Sequence, residues 1–278
     1  MTITGKARLA GVMGWPVGHS RSPRLHGYWL ERYGIDGAYV PLAVRPEDLG
    51  TALRALPKLG FRGCNLTVPH KEQAMHIVDR VDDTARMIGA INTVVVEADG
   101  SLTGRNTDAP GFVANLVQGA PKLELDGATV MVIGAGGAAR GVVAGLIEAG
   151  VVQVRLANRS AEKTNALVRA FEPYVVSTPW GERADHLDDI DLLVNTTSLG
   201  MEGQPPLDLP LDGLPRRAVV TDVVYAPLET DLLARARARG NPVVDGLGML
   251  LHQAVPGFEA WFGVRPDVTE DLRRHVLG

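Results

Sequence analysis

The run Val130-Met131-Val132-Ile133 passes directly into Gly134-Ala135-Gly136-Gly137-Ala138-Ala139 and then into the apolar stretch from Gly141 to Glu148. A β-branched run, a G-x-G-x-x-A turn and an apolar segment of helical length predict strand, tight turn and helix, the opening of a dinucleotide-binding unit. Small residues let the backbone approach a pyrophosphate closely, and the helix N-terminus offers it unpaired N–H groups and a partial positive charge. Gly134, Ala135, Gly136, Gly137, Ala138 and Ala139 are therefore candidate cofactor-binding residues. A merely structural turn is the competing reading, and the strand before and helix after speak against it. The surrounding stretch from Ala128 to Ile147 is about long enough to suggest a membrane span. It holds five glycines and Arg140, however, and an arginine there would be costly in a bilayer.

The next apolar run, Val154-Arg155-Leu156-Ala157, ends in Asn158-Arg159-Ser160. NAD enzymes place an acidic residue there for the ribose hydroxyl, about 20 residues after the glycine turn. Arg159 in that place suits a 2′-phosphate, and Lys163 follows one helical turn later, so the cofactor expected is NADP. A solvated, basic start to a helix is the plainer alternative.

The first half of the chain also alternates short apolar runs with helical stretches: Leu9 to Met13, Pro23 to Tyr33, Tyr39 to Val44, Glu47 to Leu56 and Gly63 to Val68. The rhythm restarts at Val130, which predicts two α/β units in 278 residues. Between them Asp99-Gly100 marks a hairpin, and a helix is expected after Thr107. The expected domains are 1–106, 107–241 and a C-terminal pair of helices, 242–278, packing back on the first. A charged fraction of 22% and a net charge of -4 lack the basic excess of nucleic-acid binders, leaving a small molecule as the expected partner. Cys64 is the only cysteine, so neither an intramolecular disulfide nor a cysteine metal cluster is expected. His19, His26, His70 and His252 lack the spacing of a zinc motif, and no metal is expected. Met1 to Leu9 has no apolar core of a signal peptide, which points to the cytoplasm.

In Asn65-Leu66-Thr67-Val68-Pro69-His70-Lys71 the alternation of strand side chains puts Asn65 and Thr67 on one face. Pro69 suits a break after the strand and leaves Lys71 near a strand C-terminus, where α/β sites lie. Taken alone, Lys71 would be an ordinary surface lysine. Thr107 and Asp108 read equally well as a helix cap and a solvated first-turn carboxylate.

Several segments occur in order. They are Gly14-Trp15-Pro16-Val17-Gly18-His19-Ser20-Arg21-Ser22-Pro23 with His26, Asn65 to Lys71, Gly89-Ala90-Ile91-Asn92-Thr93 and Asn106-Thr107-Asp108, then Asn158-Arg159-Ser160, Asn195 to Met201, Asp222 to Pro227 and Gly246-Leu247-Gly248-Met249. Together they resemble the successive signatures of shikimate dehydrogenases along nearly the whole chain. Gly27 departs from the pattern, since that family more often has asparagine after the histidine, and a local packing change is expected.

The resemblance implies an N-terminal α/β substrate domain plus a Rossmann-type NADP-binding domain, with the active site in the interdomain cleft. It implies Lys71 and Asp108 as the catalytic pair, and Ser20, Ser22 and Tyr225 as holders of a substrate carboxylate. Asn65, Thr67, Asn92 and Gln253 would contact hydroxyls. Thr196, Val223, Gly246 and Met249 would join the cofactor residues, with Met249 and Gln253, four apart, on one helical face. The implied reaction is the reversible reduction of 3-dehydroshikimate to shikimate with NADPH by a monomer or homodimer. One alternative is a quinate/shikimate dehydrogenase using NAD, whose relatives tend to alter the second serine and carry an acid near the ribose. Another is a non-catalytic NADP-binding sensor, which would be expected to lack Lys71 or Asp108.

Overall fold

The computed structural model describes residues 3–278, so the first two residues of the Met1 to Leu9 stretch lie outside it. The chain forms two compact units; Leu251–Gly278 belongs to the first, and Asp108–Leu250 makes the second.

In the first unit the elements run β1 (Arg8–Gly14), α1 (Ser22–Arg32), β2 (Gly37–Ala43), α2 (Leu49–Ala55), β3 (Phe61–Leu66), β4 (Arg80–Val81), α3 (Asp83–Ile88), β5 (Thr93–Val96) and β6 (Leu102–Arg105). They make a six-stranded sheet of order β2-β1-β3-β5-β6-β4. β1 pairs in parallel with β2 and β3, whereas β5 runs antiparallel to β3 and forms a hairpin with β6 around Asp99-Gly100. The predicted strand through Val68 stops at Leu66, yet the Thr67 amide still donates to the Met13 carbonyl at 2.9 Å. Within the parallel part, β1 is the point from which the chain crosses first to one side and then to the other, the arrangement that opens a crevice at the carboxyl ends of strands.

The second unit holds α4 (Asp108–Gly119), β7 (Thr129–Ile133), α5 (Gly137–Glu148), β8 (Gln153–Ala157), α6 (Ala161–Ala170), β9 (Val175–Thr178), β10 (Leu192–Asn195), β11 (Val219–Asp222), α7 (Asp231–Ala238) and β12 (Val243–Val244). Its six strands are all parallel, in the order β12-β11-β10-β7-β8-β9. Numbered within the unit, that is 6-5-4-1-2-3, the doubly wound order of a Rossmann fold, with its switch point between β7 and β10. Val130, Met131, Val132 and Ile133 are each 0% exposed, as a central parallel strand requires. The apparent membrane span is therefore a buried strand and helix, and no helix among the described residues is long and apolar enough to cross a membrane.

The chain closes with α8 (Leu247–His252), α9 (Ala254–Phe262) and α10 (Glu270–Leu277). In the first unit α9 lies against β1, β3 and β5, and α10 against α1. Trp261 donates its indole N–H to the Val94 carbonyl at 3.0 Å. It can do so because Gly63, at φ +149°, has no Cβ to meet the Trp261 indole. The register between β1 and β3 shifts at the same place.

Beneath α9 sits an aromatic cluster with His26 at its centre. The imidazole stacks on Tyr39 at 3.9 Å and 7°, and meets Trp29, Phe258 and Trp261 at 5.7–5.8 Å. His26 is 0% exposed and neither ring nitrogen makes a hydrogen bond of ordinary geometry, so burial lowers its pKa from 6.5 to about 3, against a weaker opposing pull from Asn65. The folded protein thus keeps this ring neutral while the unfolded chain takes up a proton below pH 6.5. The resulting stability is complete above that pH and is lost as pH falls toward 3. Between pH 7 and 4.5 the loss expected from His26 is about 2–3 kcal/mol. His26→Phe keeps a ring in the stack and abandons no hydrogen bond, so urea midpoints should be similar at pH 7 and the variant should resist acid better. Equal acid losses in the two proteins would refute this account.

Candidate functional site

The candidate residues of the first unit gather where its parallel strands end. Ser20 and Ser22 follow β1. The Ser22 amide donates to the Ser20 hydroxyl at 3.3 Å, and α1 begins without a side-chain cap and with proline in its first turn. A helix start of that kind attracts an anion. Gly27 lies further along α1, where an added Cβ would meet nothing within 4 Å.

Asn65 ends its strand 5% exposed, and its carboxamide is fully oriented. Its Oδ1 accepts from the Tyr39 hydroxyl at 2.6 Å, and its Nδ2 donates to the Asn92 carbonyl and to Thr93 Oγ1, each at 3.1 Å. Asn92 in turn accepts on Oδ1 from the Thr107 amide at 2.9 Å and from Thr93 Oγ1 at 3.1 Å, and its Nδ2 reaches Gln253 Oε1 at 3.5 Å. The Thr107 hydroxyl, read from sequence as a possible helix cap, donates to Asn92 Oδ1 at 3.1 Å. Asn65, Asn92 and Gln253 therefore belong to one network drawn from three distant stretches of chain. Thr67 and Lys71, both half-buried, lie in the turn after β3. That turn is fixed by the His70 amide donating to the Thr67 carbonyl and the Ile91 amide to the Lys71 carbonyl, both at 2.9 Å. His70 is itself buried, its Nε2 at 2.8 Å from the Val44 carbonyl. Gln253 and Met249 do not share one uninterrupted helix, because α8 ends at His252 and Gln253 precedes α9 in helical backbone conformation.

In the second unit Asp108 opens α4, half-buried. Its position is set by the close packing of α4 on α5: a Cβ at Gly141 would stand 3.6 Å from the Asp108 Cβ, and one at Gly145 only 2.8 Å from the Ala109 carbonyl.

The glycine turn divides by cause. Gly134 has φ +110°, and a Cβ there would lie 2.6 Å from Thr196 Oγ1, so the fold itself demands glycine. Gly136 and Gly137 have negative φ, and a Cβ on either would meet nothing within 4 Å. Their small size serves no contact inside the chain; it leaves open the N-terminus of α5, which also lacks a side-chain cap. An approaching diphosphate is the chemistry that fits. Ala139, by contrast, is 0% exposed and packs in the interior. At the end of β8, Asn158 donates to the Ser160 carbonyl at 3.0 Å and the Ser160 hydroxyl caps α6. Arg159 and Lys163 stand exposed beside them, neither in an ion pair among the described residues.

The switch point is held by a buried network whose members Asn195 and Asp222 open segments of the resemblance but had no role assigned from sequence. Asn195 Nδ2 donates to both oxygens of Asp222 at 3.0 and 3.1 Å, and the Thr230 hydroxyl and the Val224 amide complete the carboxylate's partners. Burial pushes the Asp222 carboxyl upward against the pull of those hydrogen bonds. The network fixes the segments after β10 and β11 that carry Thr196, Val223 and Tyr225; Thr196 also donates to the Ile133 carbonyl at 2.7 Å. Gly246 backs directly onto Val223 and Val224, where a Cβ would fall 2.5 Å from the Val223 carbonyl.

Known proteins resemble this chain along its length. Residues 12–94 match the shikimate dehydrogenase substrate binding domain, 116–200 the shikimate / quinate 5-dehydrogenase family, and 246–277 the shikimate 5'-dehydrogenase C-terminal domain. The chain is 64% identical over 275 residues to the shikimate dehydrogenase (NADP(+)) of Paramagnetospirillum magneticum, covering 99% of this chain and 100% of that one. Among solved structures, the Thermus thermophilus shikimate 5-dehydrogenase in complex with NADP(H) and shikimate is 37% identical, with a TM-score of 0.85 over 97% of this chain and 98% of that one. Quinate dehydrogenase from Corynebacterium glutamicum in complex with NAD is 34% identical, with a TM-score of 0.90 over 98% and 99%.

Proposed function

The chain belongs to the shikimate dehydrogenase family, and from that premise we infer that it reversibly reduces 3-dehydroshikimate to shikimate with NADPH, an oxidoreductase acting on a CH–OH group in aromatic amino acid biosynthesis. The observation that carries the reading for this chain is the buried network joining Asn65, Asn92 and Gln253 at the carboxyl ends of the first sheet, a polar construction made for a polyhydroxylated ring.

Bound NADPH supplies the hydride; the chain supplies the proton and the electrostatics. Negative charge grows on the ketone oxygen during reduction, and the Lys71 ammonium stabilises and then protonates it. In the oxidative direction neutral Lys71 takes the hydroxyl proton. Asp108 accepts a hydrogen bond from the substrate hydroxyl neighbouring the ketone. Ser20, Ser22 and Tyr225 hold the carboxylate, and Asn65, Thr67, Asn92 and Gln253 hold the hydroxyls. Gly134 to Ala138 hold the pyrophosphate, with the buried Ala139 packing behind them; Asn158, Arg159, Ser160 and Lys163 hold the 2′-phosphate end, and Thr196, Val223, Gly246 and Met249 the nicotinamide end. The enzyme works in the cytoplasm as a monomer or homodimer.

The fold alone does not choose between shikimate with NADP and quinate with NAD, since the Corynebacterium relative shares it. Ser22 and Arg159 favour the first. Initial rates with shikimate and with quinate, each with NADP+ and with NAD+, test the choice. Shikimate with NADP+ should exceed the other three combinations by at least about tenfold in kcat/KM, the discrimination of roughly one lost polar contact in a site built to pair it. Quinate with NAD+ as the best pair would overturn the reading, and no turnover in any combination would favour a sensor.

A further inference from the structure

Tyr39 lies outside every motif that marks the site, yet its hydroxyl is joined to one of the site's candidate residues. It donates to Asn65 Oδ1 at 2.6 Å. The ring is 7% exposed on β2 and clamped flat against His26 at 3.9 Å. On the other side of the same amide stands Thr93, 1% exposed, which accepts from Asn65 Nδ2 and donates to Asn92 Oδ1, both at 3.1 Å.

We propose that Tyr39 and Thr93 are positioning residues for the substrate: between them they fix the orientation of the Asn65 carboxamide. The inference rests on the reading of Asn65 as a substrate-binding residue.

The donor count gives the arrangement its chemistry. A carboxamide has two N–H hydrogens and an oxygen with two lone pairs. Both hydrogens of Asn65 are engaged, by the Asn92 carbonyl and Thr93, and one lone pair is taken by Tyr39. What remains is a single acceptor lone pair, so Asn65 recognises a substrate hydroxyl as a hydrogen-bond acceptor. The direction of that lone pair is set by one buried line of bonds from Tyr39 through Asn65 to Thr93.

Tyr39→Phe deletes the hydroxyl and keeps the ring on His26, so the fold should survive. Steady-state kinetics should show KM for shikimate raised about tenfold, the effect of one buried hydrogen bond, with kcat and KM for NADP+ within about twofold of wild type. Asn65→Ala should raise the same constant, and the double variant should add nothing further, because both substitutions break one line. Thr93→Val, which removes the other restraint, should raise KM for shikimate as well and serves as the test if Tyr39→Phe fails to fold. If Asn65→Ala raises KM while Tyr39→Phe and Thr93→Val do not, or do so only together with KM for NADP+, the positioning role is wrong. If Asn65→Ala itself leaves KM unchanged, the substrate-site reading fails first.

Discussion

Lys71→Ala should lower kcat for shikimate oxidation by about 10²–10⁴-fold, the usual contribution of a positioned proton-transfer group, while KM for shikimate moves by less than about tenfold. The turn that carries Lys71 is built from backbone bonds, the His70 amide to the Thr67 carbonyl and the Ile91 amide to the Lys71 carbonyl. Alanine keeps all of them, so the loss is confined to the ammonium. Lys71→Arg sharpens the test. Arginine retains the positive charge but does not release its proton at any accessible pH. If Lys71 only attracted the substrate, arginine would restore most of the rate; if it moves the proton, the arginine variant should stay within about tenfold of alanine. Asp108→Asn should cost less than Lys71→Ala, because an amide oxygen can still accept a hydrogen bond from the substrate hydroxyl. A Lys71→Ala enzyme that turns over normally but binds shikimate weakly would remove Lys71 from the chemistry.

What could be read in the sequence was what local order determines. A β-branched run, a glycine turn and an apolar helix are neighbours in the chain, so β7 and α5 were visible, as was the Asp99-Gly100 hairpin between β5 and β6. Elements that owe their form to partners were not. β4 is two residues long and exists as a strand through its pairing with β6. β9 lies at the sheet edge, where Val176 is 39% exposed and hydrophobic alternation is weak. The divided course of α8 and α9 was hidden because Gln253 keeps helical dihedrals across the break.

The site divides the same way. Lys71, Asp108, the serines and His26 stand in recognisable segments, whereas Tyr39 sits on an element whose sequence says only that it is buried, and the packing role of His26 is equally hidden. Leu25, His26, Trp29 and Leu30 read as the apolar face of a helix with one polar interruption. That interruption acquires meaning only when β2, β3 and α9 surround it and bring Tyr39 to Asn65. Asp222 opens a segment of the resemblance, but its structural role shows only when Asn195 and Thr230 converge on it. Such groups depend on which strands become neighbours, and strand order is a property of the whole chain.

Arg159→Asp should reverse the cofactor preference. Arg159 and Lys163 are exposed, and the first turn of α6 is capped by the Ser160 hydroxyl accepting from the Lys163 backbone amide, with no part for either side chain. The substitution therefore removes no packing, and the melting temperature should change little. For NADP+ it exchanges charge-assisted hydrogen bonds worth about 1.5–3 kcal/mol for repulsion between a carboxylate and a phosphate. kcat/KM for NADP+ should fall by about 10²–10³-fold, and that for NAD+ should hold or rise because aspartate can accept from both ribose hydroxyls. KM for shikimate should be unchanged, which separates a cofactor effect from general damage. Salt gives a second reading: the wild-type preference for NADP+ should shrink as ionic strength rises and these solvent-exposed cations are screened, and the variant should show no such dependence. Retained NADP+ preference in the variant would mean that the 2′-phosphate is held elsewhere, and Lys163→Ala in the same background would then be expected to leave it intact as well.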